Sequence, residues 1–283
     1  MFTPFVSIKT ALAALITASV MGAPLPAFSA LSRTATSSPA PSATLAQTDG
    51  VLVAGLPFRL PIRSSSPFRF GGFARACASV DGAMDVNALQ QTFAPVAPPI
   101  QAAEDMTTAE TPVDQTALAH PTILVRVPDS PGATLTFTLQ DEAATTELYM
   151  TQFELTGAEK GIVGIQIPAT AAPLEVGQTY AWQALLSSSC GPNLGDFRIS
   201  IGSSLERVEL DGQLEAIEQA PMSDRLAMYA EAGIWQETVS TLAALRLENP
   251  DDVAMNEAWS SLMQLVELGE LAADPILQIH HVE

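Results

Sequence analysis

The chain predicts an α+β fold: an antiparallel β-sandwich followed by a small C-terminal α-helical hairpin or bundle. Three observations carry that prediction. Between residues 120 and 210, short segments alternate apolar and polar residues with a period of two, as half-buried strands require. Gly and Pro punctuate those segments at Pro131–Gly132, Gly157, Gly161, Gly177, Gly191–Pro192 and Gly195, the spacing of turns in sandwiches and barrels. Beyond residue 211 the apolar spacing changes to that of helices.

Residues 1–29 read as a signal peptide: Lys9 precedes an apolar run from Ala11 to Met21, and Ala27 and Ser29 supply small residues before a cut near Ala30. The run falls short of the roughly 20 residues a membrane-spanning helix needs, so the expectation is export to the periplasm or beyond; retention as an anchor is the alternative. Residues 30–119 read as a disordered or extended segment rich in Pro and Arg. Its first part is Ser, Thr, Ala and Pro without apolar period, and Ala94 to His120 reads as an extended connector. Arg33, Arg59, Arg63, Arg69 and Arg75 face only Asp49 ahead of Cys77, whereas the remainder is strongly acidic. These arginines suit either the acidic body of the same chain or an external anionic partner. The formal net charge of −19 makes nucleic acid a poor partner.

Residues 120–210 form the expected sandwich. Leu135, Phe137 and Leu139 alternate with threonines. Ile123, Val125 and Val127 make another inward set, as do Tyr149, Thr151, Phe153 and Leu155; then Val163, Ile165 and Ile167; Tyr180 and Trp182; and Phe197, Ile199 and Ile201. Leu174, Gly177 and Tyr180, followed by Trp182, resemble the tyrosine corner of fibronectin type III and related immunoglobulin-like domains, in which the hydroxyl bonds back to upstream backbone, and the resemblance implies an immunoglobulin/fibronectin-III-like sandwich. Two buried core aromatics, Tyr180 and Trp182, are the plainer alternative.

Residues 211–275 are the expected helical subdomain, and 276–283 a tail. Residues 212–220 suit a short helix. Ser223 and Asp224 can cap a second ending near Ala232, and a third runs from Gln236 to Leu247. Asn249 to Asp252 start a fourth, with Trp259, Leu262, Met263 and Val266 on one face. Tyr229, Gly233, Trp235, Leu242, Leu245 and Pro250 resemble one tetratricopeptide repeat, with Thr238 where that family has Ala. Such arrays need about three units to bury their faces, so a hairpin packed on its neighbours is expected. Trp235 should be a buried anchor, with Tyr229 one turn before it and Val239 and Leu242 following at helical spacing.

Cys77 and Cys190 are the two cysteines, and an even count in an oxidising compartment favours a disulfide between them; two free thiols are the alternative. Catalytic motifs are missing. Gly-x-Ser-x-Gly, His-Glu-x-x-His, a phosphate loop and Gly-x-Gly-x-x-Gly do not occur, nor does a calcium loop. His120 precedes a strand, and His280 and His281 sit in what reads as a frayed tail, where with Glu283 they could hold a metal only weakly. Asp141–Glu142 and Asp251–Asp252 read as a turn and a helix start rather than acid/base pairs. No catalytic, cofactor or metal residue is therefore assigned.

A resemblance adds to this reading. Gly71–Gly72 with Arg75 and Cys77, His120–Pro121 leading to Val125 and Pro128, and Leu139–Gln140–Asp141–Glu142 carry part of it. Gly161–Ile162–Val163, Ile167–Pro168 and Leu174 through Tyr180 and Trp182 to Cys190 carry more, and Met228 through Trp235 is its most specific block. Together they resemble the cyanobacterial family catalogued as domain of unknown function 928, from about Phe70 to Pro275. The resemblance implies a secreted or periplasmic protein and supplies no catalytic residue. The expected function is a non-catalytic binding or adaptor module of the cell envelope, its partner a protein or glycan, and not an integral membrane protein once the signal is removed. An envelope enzyme with a site built of acidic residues, or a self-assembling surface protein, are the alternatives.

Overall fold

The computed structural model describes residues 51–53, 56–58, 64–66, 74–75, 92–98, 111–130, 132–155, 160–189 and 196–281. The signal segment 1–29, Arg33, Arg59, Arg63, Arg69, Cys77 and Cys190 lie outside the described residues. Residues 47–283 belong to one compact unit. The strands are β1 (Val51–Val53), β2 (Leu56–Phe58), β3 (Ser64–Ser66), β4 (Ala74–Arg75), β5 (Ala94–Pro95), β6 (Thr111–Thr116), β7 (Thr122–Val127), β8 (Thr134–Asp141), β9 (Glu147–Glu154), β10 (Gly161–Gln166), β11 (Thr179–Ser189), β12 (Asp196–Arg207) and β13 (Ile276–His280). The helices are α1 (Leu214–Gln219), α2 (Met222–Ala232), α3 (Trp235–Glu248) and α4 (Val253–Leu265).

The protein is an α+β structure of two packed sheets and C-terminal helices. The larger sheet has seven strands in the order β3-β6-β12-β11-β8-β9, with β4 also on β12, and the smaller has four in the order β13-β10-β7-β5. Period-two alternation explains the layer between them. Ile123, Val125, Val127, Leu135, Phe137, Leu139, Val163, Ile165, Ile167, Tyr180, Trp182, Phe197 and Ile199, each predicted to point inward, share one buried cluster. Within it Phe137 stacks on Trp182 at 6.0 Å between ring centroids.

The sheets are not purely antiparallel, as the sequence had suggested. β6 runs parallel to β12, and β13 runs parallel to β10. Both parallel strands come from outside the 120–210 span, where no hairpin dictates the direction of a neighbour. Two expected boundaries shift accordingly. The 94–120 connector contributes β5 and β6 and places Val96 in a second core, while Phe93, just ahead of it, lies in the core between the sheets. The expected tail is instead β13, which closes an edge of the small sheet. Gly161 allows that closure, because a Cβ there would lie 2.7 Å from the Pro275 carbonyl oxygen and 2.6 Å from Leu277 Cγ.

The small sheet is covered on both faces. Leu124 and Ile162, opposite in facing to the inter-sheet residues, pack with Trp235, Val239, Leu242, Trp259, Leu262 and Met263 from the helices. A strand buried on both sides reads as a continuous apolar run, which is how Ile123–Val125 is written. Residue 126 interrupts that run with Arg. Its Nε lies 2.7 Å from Asp274 Oδ2, and Lys160 Nζ lies 3.3 Å from Asp274 Oδ1, so the carboxylate just before β13 is tied to β7 and to the start of β10.

Local signals set the helix ends. Asp252 accepts from the amides of Ala254 and Met255 at 2.9 and 3.1 Å, capping α4. Gly233 at φ 73° ends α2, with its own amide bonded to the Ala230 carbonyl and that of Ile234 to Tyr229, the two bonds of a Schellman closure. Neither Ser223 nor Asp224 caps α2, which begins one residue before them at Met222; Arg225 Nε instead donates to the Ala220 carbonyl at 2.7 Å. Beyond the helices, β1 and β2 form a two-stranded sheet lying against α4 and α2. Among the described residues no helix is long and apolar enough to cross a membrane.

Candidate functional site

The tyrosine corner and the β8–β9 turn together build the site. Leu174 is anchored by its amide to the Ala119 carbonyl at 3.0 Å, and Gly177, at φ 76°, donates to the Arg207 carbonyl at 2.7 Å. The chain between them is drawn tight, and the Tyr180 hydroxyl accepts from the Glu175 amide at 2.7 Å. This is the bond back to upstream backbone that the sequence suggested, with Tyr180 and Trp182 both buried.

Tyr180 lies opposite Asp141 in the sheet, so the β8–β9 turn stands beside the corner. Asp141 organises that turn. It accepts from the Thr145 amide and hydroxyl, each at 2.7 Å, and from the Thr146 amide at 3.1 Å. These bonds, the Thr145 hydroxyl first, hold its carboxyl down at about 2, so Asp141 is charged throughout the ordinary range. The residues were read as a turn, and they are one. The result is an open hollow of about 710 Å³ lined by Asp141 and Glu142 from the turn and by Glu175, Gln178, Thr179 and Tyr180 from the corner. Exposed Val176 sits in the same loop.

This surface offers acceptors, negative charge and an apolar spot. A general acid needs a carboxyl near neutral pH, and Asp141 is far from it. None of the three histidines lines the hollow. His120 Nε2 is 3.2 Å from the Ala171 carbonyl oxygen. His280 and His281 do not form a frayed tail: His280 belongs to β13, stacks on Phe153 at 3.9 Å and is held below the usual imidazole range by burial and then by His281, which itself contacts Gln166. Among the described residues, no group of three His, Cys, Asp or Glu side chains is placed to hold a metal ion.

Sequence reasoning missed four buried charged groups among the described residues, Asp114, Arg126, Glu237 and Asp274. Arg126 had a signal, a charge in the middle of an apolar strand. Glu237 had none, because a Glu in the first turn of a helix ordinarily faces solvent. It is 2 % exposed here.

Two packed sheets backed on one side by C-terminal helices, with a polar corner at one end, define the class of α+β protein to which this chain belongs. Within it, the chain belongs to the family described as Domain of Unknown Function (DUF928), whose model matches residues 77–276. No curated protein and no solved structure matches the chain.

Proposed function

We propose that the protein is a non-catalytic binding or adaptor module, exported beyond the cytoplasm, which docks a partner of the cell envelope at the hollow between the tyrosine corner and the β8–β9 turn. The observation that carries this reading is the hollow itself. It is open and lined by three carboxyl side chains, of which Asp141 is charged throughout the ordinary range, and the exposed Val176 stands in the adjoining loop. Such a mixture suits a basic protein surface better than a reaction centre. The bond from the Glu175 amide to Tyr180 supports assigning the two sheets to the immunoglobulin/fibronectin-III-like class. The single tetratricopeptide-like hairpin serves as a structural layer under this reading, since β2 lies against its first helix, α2.

The tagged protein is expected in an extracytoplasmic fraction, with its N-terminus near Ala30. Crosslinking in the intact envelope should capture a partner with the parent chain, and about tenfold less of it with Glu142→Lys/Glu175→Lys, a loss equivalent to about 1.4 kcal/mol. Undiminished capture by a variant with the parent melting temperature would move the docking face elsewhere. A soluble cytoplasmic pool with an intact Met1 would end the export reading.

The Cys77–Cys190 disulfide belongs to the same proposal. Arg75 pairs with Arg198 on one side of β12, and Ser189 pairs with Asp196 on the other. Both neighbouring strands thus run toward the Asp196 end of β12 just before the cysteines. Non-reducing peptide mapping of the exported protein should recover one linked pair; recovery of both as alkylated thiols would sink it. The bridge would close a loop of more than a hundred residues, for which chain entropy allows about 4 to 5 kcal/mol.

A further inference from the structure

Glu237 is the third residue of α3, yet its side chain leaves the helix and crosses to the link between β6 and β7. The Thr116 hydroxyl donates to Oε1, the Ala117 amide donates to Oε2 at 3.1 Å, and the Leu118 amide donates in turn to Thr116 Oγ1 at 3.2 Å. Glu237, Thr116 and Ala117 are all buried, beside the small cluster of Ala117, Ile217, Tyr229 and Ile234. We infer that Glu237 is a proton-operated latch between the helical layer and the β6–β7 link, tighter when it carries a proton and looser when it does not. The inference is independent of the docking reading.

The surroundings explain the direction. A buried carboxylate needs a counter-charge or many donors, and among the described residues no ion pair reaches Glu237. Two arginines of neighbouring elements donate to backbone carbonyls and form no ion pair with Glu237. Arg207, at the end of β12, donates to the carbonyls of Ala117 and Leu174, and Arg225 of α2 donates to that of Ala220. The remaining titratable groups are unhelpful: Tyr229 on α2, Glu218 on α1 and, two residues before Thr116, buried Asp114 on β6. Burial, followed by the Glu237 charge, pushes the Tyr229 hydroxyl up. The N-terminal turn of α3 favours the charged form, but only by a fraction of what desolvation removes.

Both protonation states fit the same contacts. With a proton on Oε1, Glu237 donates to Thr116 Oγ1 and still accepts from Ala117; without it, Thr116 donates instead. Burial pushes the carboxyl up to about 7, against the opposing pull of the Thr116 and Ala117 bonds. The folded value lies above the unfolded one near 4.5. The stability contributed by the protonated carboxyl is therefore complete below about 4.5 and falls as pH rises to about 7, beyond which it is gone. Over that window the folding equilibrium constant should change by the order of a hundredfold through this one group.

The test uses the full chain. In the parent, exchange protection of the Ala117 amide, corrected for the intrinsic rate, should fall between pH 5 and pH 8, and urea midpoints should fall with it. Glu237→Gln keeps one acceptor for Ala117 and a donor for Thr116, and should flatten both profiles. An unchanged pH slope in the variant would overturn the latch. If the variant does not fold, the Glu237 carboxyl is titrated in the parent by carbon NMR; a midpoint near 7 supports the latch and one near 4.5 overturns it.

Discussion

Trp235→Ala is expected to melt far below the parent and to lose helical signal, at a cost of about 3–5 kcal/mol out of the roughly 5–15 kcal/mol that holds a domain together. Trp235 opens α3, is 1 % exposed, and packs with Leu124 and Ile162 of the small sheet as well as with its own helical layer. Its Nε1 donates to the Val96 carbonyl at 3.1 Å, fixing the residue that follows β5, whose own amide bonds to the Leu124 carbonyl of β7. Truncation would open a cavity at the junction of helices and sheet and leave that carbonyl without its indole donor. Thermal unfolding followed by circular dichroism measures the loss. An unchanged melting temperature with lost partner capture would overturn this anchoring role and make the helical hairpin the recognition surface.

Arg126→Met should destabilise by a similar amount, about 3–5 kcal/mol, because it strips a buried carboxylate of its closest counter-charge. Asp274 is 2 % exposed, and its other partner, Lys160, is an exposed side chain on a flexible stem. The lesion should be local at first, since Asp274 sits just ahead of β13 and the Ile162 amide bonds to the Pro275 carbonyl at 2.8 Å. Release of β13 would separate His280 from Phe153, so the His280 ring protons report the detachment by NMR. Arg126→Met/Asp274→Leu should regain most of the stability, since an apolar pair of similar volume removes both charges together. A double variant no better than the single would mean that the pair does not hold β13.

Neither result was legible in the same way. Trp235 announced itself: Gly233 for the turn, Tyr229 before it and Val239 and Leu242 after it place an indole on the inner face of a helix. Arg126 stood out only as a charge within Ile-Leu-Val-Arg-Val, and nothing in the chain names Asp274, 148 residues away, as its partner. The tyrosine corner was readable from Leu174, Gly177 and Tyr180, because φ above zero and a fixed hydroxyl reach are local requirements. That Glu142 and Glu175 share its hollow follows only from the pairing of β8 with β11.

By itself the sequence determined most of the residues that alternate inward in the central strands, the helix ends set by Gly233 and Asp252, and the family to which the chain belongs. These properties depend on neighbours within a few positions, where backbone geometry and the period of side chains act directly. Only the tertiary structure decided that β6 and β13 enter the sheets in parallel, that the small sheet is buried on both faces, and that Glu237 meets Thr116 across 121 positions. Parallel pairing and a buried carboxylate are settled by which distant surfaces exclude water from one another, and no local pattern of residues encodes that contact.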